Sequence, residues 1–122
     1  MTRSEYAARP GRSSNWIPKS RRLAIYIRDG FACAYCGRDL RSAKPCEISL
    51  DHLKAREHDG GHESANLVTA CNRCNSARQS KLWHKYAVGG AVARIKQLRR
   101  RTPNIELARA ILRGETSLVE VL

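Results

Sequence analysis

Two cysteine pairs with the same spacing constrain this chain more than any other feature. Cys33-Ala34-Tyr35-Cys36 and Cys71-Asn72-Arg73-Cys74 each place two residues between two thiols, with Gly37 to Ala70 lying between the pairs. That spacing lets both thiolates of a pair turn toward one ion, and two such turns make a tetrahedral four-cysteine site. A redox-active pair is the competing reading. Redox chemistry needs one pair in a thioredoxin-like strand-to-helix setting, and here two pairs stand without that surrounding pattern. Structural Zn²⁺ held by Cys33, Cys36, Cys71 and Cys74 is therefore expected. The fifth cysteine, Cys46, is left over and reads as a small buried hydrophobe, since four thiolates already fill a zinc shell.

The remaining composition narrows the partner. A chain of 122 residues suits one domain with a modest core. Its 23 Lys and Arg against 11 Asp and Glu give a formal net charge of +12, which suits a polyanion, and nucleic acid is the first candidate. Nothing resembles a membrane span or the apolar stretch of a signal peptide, so a cytoplasmic protein with no membrane partner is expected. A reducing compartment disfavours disulfides, and five cysteines cannot all pair within one chain. No small-molecule cofactor is indicated.

Along the chain, residues 1–18 carry Arg3, Arg9 and Arg12 among Pro, Gly, Ser and Asn, and read as a flexible basic arm. SRRLAIYIRDG fits a helix capped by Ser20 and stopped by Gly30, although its crowded apolar residues also suit a strand. CEISLDHL alternates as a strand does, and Leu67 to Ala70 form a second short strand. CNRCNSARQSKLWHKYA looks helical from about Arg73. Beyond Gly89 and Gly90, Val92, Ile95 and Leu98 share one helical face, and Ile105, Ala108, Ile111 and Leu112 another. These two helices are expected to pack on each other or on the core. The expected division is thus an arm at 1–18, a domain at 19–88 and a helical extension at 89–122.

Between the cysteine pairs stands SLDHLKAREHDGG, with Asp51 directly beside His52. Asp51 offers hard oxygen for Mg²⁺ or a similar ion, and His52 a base whose proton affinity lies near neutrality. Neighbours on a strand point to opposite faces, so the two meet one substrate only if the strand ends or bends there, or if one approaches the metal and the other the water.

CAYCG, LDH at Leu50 to His52, the Gly60-Gly61 pair, ANLVTAC and CNRCN together resemble an HNH endonuclease domain of the ββα-metal fold, from about Arg21 to Lys81. The resemblance implies an α+β fold: a small ββα-metal domain with a four-cysteine zinc site, flanked by an N-terminal helix and C-terminal helices. It implies a metal-dependent endonuclease that hydrolyses DNA phosphodiester bonds, leaving 5′-phosphate and 3′-hydroxyl ends, of a kind associated with phage or mobile elements. By position, Asp51 matches the first ligand of a catalytic Mg²⁺ or Mn²⁺, and His52 the general base. Asn66 matches the middle asparagine, which steadies the hairpin loop and the base. Asn75 matches the second ligand, supplied by the helix. The sequence departs from the family in LKAREHDGGH, which lacks the proline common soon after the Asp-His pair. A zinc-ribbon module that binds nucleic acid without cutting it is the alternative.

Arg56, Arg73, Arg78 and Lys81 lie near this site in sequence and are candidate phosphate contacts. Arg99 to Arg101 close an amphipathic helix, where positive charge also suits the helix C-terminus. Trp16, Trp83 and Tyr86 could stack on bases, but so small a core has use for them itself.

Overall fold

The computed structural model describes residues 17–54, 63–79 and 81–121. The basic arm through residue 16, and Arg56 with the glycine pair at 60 and 61, lie outside the described residues.

The crowded apolar run at Leu23 to Ile27 forms a helix, not a strand. Helix α1 spans Lys19–Arg28 and buries Ala24, Ile25 and Tyr26. Ser20 is not its cap. Pro18 holds the N-cap position with no side-chain bond, its fixed ring geometry serving the helix entry, and its carbonyl accepts the Arg22 N–H at 3.0 Å. The stop is as expected: Gly30 follows Asp29 with φ of 68°, a left-handed conformation that costs glycine little.

Strands β1 (Ile48–His52) and β2 (Leu67–Cys71) pair antiparallel, with Ile48 opposite Cys71 and His52 opposite Leu67. A single 3₁₀ turn, Ser64–Asn66, leads into β2. Helix α2 (Asn72–Arg78) follows immediately, completing a ββα unit. The helix expected to continue through the following residues ends instead at Gln79, whose φ is 49°. One turn of helix, α3, resumes at Trp83–Tyr86. Arg78 stands at the break: its side chain turns inward, and its Nε donates to the Lys81 carbonyl at 2.9 Å.

Three further helices are α4 (Ala91–Leu98), α5 (Ile105–Leu112) and α6 (Leu118–Val121). The pair α4 and α5 does not pack chiefly on itself. Ile95 and Leu98 of α4 enter the cluster that contains Cys33, Cys71 and Cys74, whereas α5 lies against α1. Only Ala108 of the expected α5 face is buried, and Leu112 is 52 % exposed. Asn104 caps α5 by accepting the Leu107 N–H at 3.0 Å.

The hairpin separates two apolar clusters. By the two-residue period of a strand, Leu50, His52, Leu67 and Thr69 share the face toward α1, while Ser49, Asp51, Val68 and Ala70 share the face toward α2. Leu50 and Leu67 pack with Ile17, Ile25, Tyr26 and Phe31; Val68 and Ala70 pack with the cysteine turn and α4. A buried ion pair ties α1 to β2. Arg28 and Asp29 meet at 2.7 Å, Arg28 also donates to the Ser64 and Leu67 carbonyls, and Asp29 accepts the Thr69 N–H at 2.8 Å. Because every charge in this pair has hydrogen-bond partners, the cost of burying it is largely offset.

Candidate metal centre and active site

The first cysteine turn is built as a short hairpin. Ala32 bridges Asp39, the Cys33 N–H donates to the Arg38 carbonyl, and the Gly37 N–H returns to the Cys33 carbonyl at 2.8 Å. Gly37 has φ of 78°, so a side chain there would be strained. The Cys36 N–H points at the Cys33 sulfur at 3.5 Å. The second turn uses a helix start: Cys71 ends β2, and its sulfur accepts the Cys74 N–H at 3.4 Å as the cap of α2.

Together these turns bring four sulfurs within 4.8 Å of one another, with Cys36 and Cys71 3.8 Å apart. Metal–sulfur bonds of about 2.3 Å in a tetrahedron require sulfurs roughly 3.8 Å apart, so the cluster fits one ion. Burial pushes the Cys33 thiol up and Cys74 up to about 12. Burial also opposes the Cys71 thiolate, but the Cys74 N–H and neighbouring thiols outweigh it and hold Cys71 below its usual range. Four thiolates this close would repel one another, and a bound cation would make them compatible. Cys46 takes no part. It is exposed, contrary to the expectation of a buried hydrophobe, because it lies in the turn before β1 and not on the strand.

Asp51 and His52 are both residues of β1, the last two of the strand, so they point to opposite faces before the chain bends at Leu53 and Lys54. Asp51 is buried toward α2. Its Oδ2 accepts from the Tyr35 hydroxyl and from Arg78 Nη1, the latter at 2.6 Å. Burial pushes the Asp51 carboxyl up, while Tyr35 and Arg78 pull it down. Burial and the Asp51 charge push the Tyr35 phenol far up, keeping it a neutral donor. Both bonds go to one oxygen, and among the described residues none goes to Oδ1. His52, half-buried, lies on the α1 side of the hairpin.

Asn66 and Asn75 serve the two faces. Asn66, buried at the start of β2, brackets the backbone of Lys54: its Oδ1 accepts the Lys54 N–H at 2.8 Å and its Nδ2 donates to the Lys54 carbonyl at 3.0 Å. The chain two residues past His52 is thereby fixed. Asn75 lies on α2 three residues before Arg78, so both reach the same face of β1. Its Nδ2 donates to Ser49 Oγ at 2.9 Å, and that hydroxyl lies 3.3 Å from the Ala70 carbonyl. The amide oxygen of Asn75 and Oδ1 of Asp51 are hard donors on one side of the hairpin, of the type that Mg²⁺ and Mn²⁺ prefer.

The expected phosphate contacts divide. Arg73 and Lys81 are exposed. Arg78 is not available: it is 4 % exposed and donates to Asp51, to the His52 and Leu53 carbonyls and to the Lys81 carbonyl. A guanidinium with that many buried acceptors is a structural cation, and the expectation of a phosphate contact is corrected accordingly. Trp83 and Tyr86 pack against the cysteine-side core and so serve the fold. The role of Tyr35 is not visible in the sequence, although its place between Cys33 and Cys36 is; nothing in the spacing indicates that its hydroxyl reaches Asp51.

Residues 33–81 match the family model described as HNH endonuclease. The matched segment contains both cysteine turns, the hairpin and α2. No curated protein and no solved structure matches the chain.

Proposed function

We propose that this chain, which carries an HNH endonuclease-family domain at residues 33–81, is a metal-dependent endonuclease that hydrolyses DNA phosphodiester bonds. Support comes from one juxtaposition within the matched segment: Asp51 and His52 end β1, while Asn66 holds the loop after them and Asn75 faces the same strand from α2. Zinc folding by four cysteines requires none of these four residues. In this reading Zn²⁺ fills the thiol cluster and is structural.

Asp51 and Asn75 would hold the catalytic Mg²⁺ or Mn²⁺, which when bound would stabilise charge developing on the phosphate. Tyr35 and Arg78 orient Asp51 through Oδ2, and among the described residues Oδ1 accepts no hydrogen bond. Neutral His52 accepts the proton of the attacking water. Asn66 keeps the backbone beyond His52 from moving, which keeps the imidazole placed. His52 and Asp51 work from opposite faces of the strand end, one on the water and one on the metal.

One observation favours a second reading, a zinc-ribbon module that binds nucleic acid without cutting it. The Asp51 carboxylate already has a cation beside it in Arg78, which opposes the approach of another. Supercoiled plasmid incubated with zinc-loaded protein, with and without Mg²⁺ or Mn²⁺, decides between the two. The nuclease reading expects divalent-dependent nicking that His52→Ala lowers by about 10²- to 10⁴-fold, with zinc content and DNA binding unchanged. If wild-type protein cuts no better than His52→Ala with any divalent ion, the binding module is correct.

A further inference from the structure

The C-terminal end of α4 and the two residues after it carry cations that the proposed chemistry does not use. Lys96, Arg99 and Arg100, with Ala65, line an open groove of about 520 Å³. Lys96 and Arg100 are exposed and Arg99 is half-buried. The Nε of Arg99 donates to the Ala65 carbonyl at 2.9 Å. That bond fixes the plane of the guanidinium and leaves its two terminal amines for other oxygens, an arrangement suited to a phosphate.

What sets these charges apart is that three of them stand around one groove. Six described arginines find carboxylates: Arg38 with Glu47, Arg41 with Asp39, Arg109 with Glu106 and Arg113 with Glu115, besides the two buried pairs, whereas Arg22, Arg73, Arg94 and Arg101 have no ion pair among the described residues. Among the described residues no carboxylate pairs with Lys96, Arg99 or Arg100, and Glu63, two residues before Ala65, is not within pairing distance of them. Three cations around one groove repel one another, and an anion there relieves the repulsion.

The place of the groove matters as well. Ala65 directly precedes Asn66, whose side chain holds Lys54, and His52 pairs with Leu67 at the same end of the hairpin. An anion bound by α4 therefore lies at the end of the hairpin where β1 finishes.

We propose that this groove is a binding site for backbone phosphates of nucleic acid, holding the strand at a phosphate other than the one that reacts. The inference rests on reading the chain as an enzyme of nucleic acid, but its test is separate from catalysis. Binding of a short fluorescent duplex DNA is followed by anisotropy over a salt titration, without added Mg²⁺ or Mn²⁺, using the full zinc-loaded chain. The double variant Lys96→Ala/Arg100→Ala removes two exposed charges and keeps Arg99 on Ala65. Its log K against log salt slope is expected to be shallower by about 1.8, at roughly 0.9 for each phosphate that is no longer neutralised. The control Arg109→Ala/Arg113→Ala removes the same charge from arginines already paired, and is expected to keep the wild-type slope. Wild-type slope and affinity in the Lys96→Ala/Arg100→Ala protein overturn the proposal, as does an equal loss in the control, or a wild-type chain that binds no DNA. Plasmid nicking is scored in parallel. Nicking with an unaltered slope rejects the groove alone, while an altered slope without nicking keeps the groove and rejects the nuclease.

Discussion

Arg78 and Asp51 form a buried ion pair at 2.6 Å, joining α2 to the end of β1 inside the segment that matches the HNH family. The same guanidinium donates to the carbonyls of His52 and Leu53. Replacing either partner strands the other. Asp51→Asn is expected to lower stability by about 3 to 5 kcal/mol, the usual consequence of breaking a buried pair from one side. Urea unfolding of Asp51→Asn, Arg78→Met and the double variant measures this. The double variant should recover part of the loss, and strict additivity would show that the two side chains do not interact. Loss of cleavage in an Asp51 variant is consequently not interpretable by itself, which is why His52 carries the test of chemistry.

The cysteine cluster should hold about one zinc per chain. Cys71→Ser is expected to lose the metal and unfold, because Cys71 is at once the end of β2, the cap of α2 and a candidate ligand. Cys46→Ser, at an exposed position outside the cluster, should change stability by no more than about 0.5 kcal/mol. Elemental analysis with circular dichroism checks both. A Cys71→Ser protein that is folded without zinc would contradict the structural role.

Asn66→Ala removes the acceptor of the Lys54 N–H and the donor to the Lys54 carbonyl. About 1 to 3 kcal/mol of stability should be lost, since one buried side chain serves both groups. Hydrogen exchange at the Lys54 amide is the direct readout. Asn66→Asp keeps the acceptor and should keep most of the protection, whereas equal protection in Asn66→Ala would show that the loop is held by other means.

If His52 is the base, it must be neutral to take a proton. Cleavage should then rise with pH through the range in which imidazoles deprotonate, about pH 6 to 7, and level off above it. The comparison is initial nicking rate against pH at saturating Mg²⁺, with folding monitored throughout. A rate that is flat across that range would assign the proton to another group.

The cysteine frame and the hairpin are legible in the sequence because each depends on local spacing. Two CxxC pairs imply one cluster wherever the intervening chain goes, and Ile48 with Leu50 announce a strand by alternation alone. Asp51, His52, Asn66 and Asn75 are legible only as a set. What cannot be read is the destination of long side chains. Arg78 in sequence is one more cation of a basic chain, yet the end of α2 aims it at Asp51 and not at solvent. Helix α2 itself stops early, with its last side chain tied to the Lys81 carbonyl and no Pro or Gly to mark the place. The Ser20 cap fails because Pro18, two residues earlier, has already set the helix entry. The packing of α5 on α1 depends on residues far apart in the chain, which helical periodicity does not report.

Tyr35 belongs to two structures at once: its backbone is part of the turn between Cys33 and Cys36, and its hydroxyl rests on Asp51. If the thiol cluster and Asp51 each hold an ion, as proposed, one aromatic residue touches both positions and couples them. Any free energy that an ion on the thiols contributed to holding that ring in place would then be available to an ion at Asp51, and occupancy at Asp51 would return the same factor to the thiols. In that case the affinity for each metal would be a property of the pair of sites, and a titration of either one would read the state of the other.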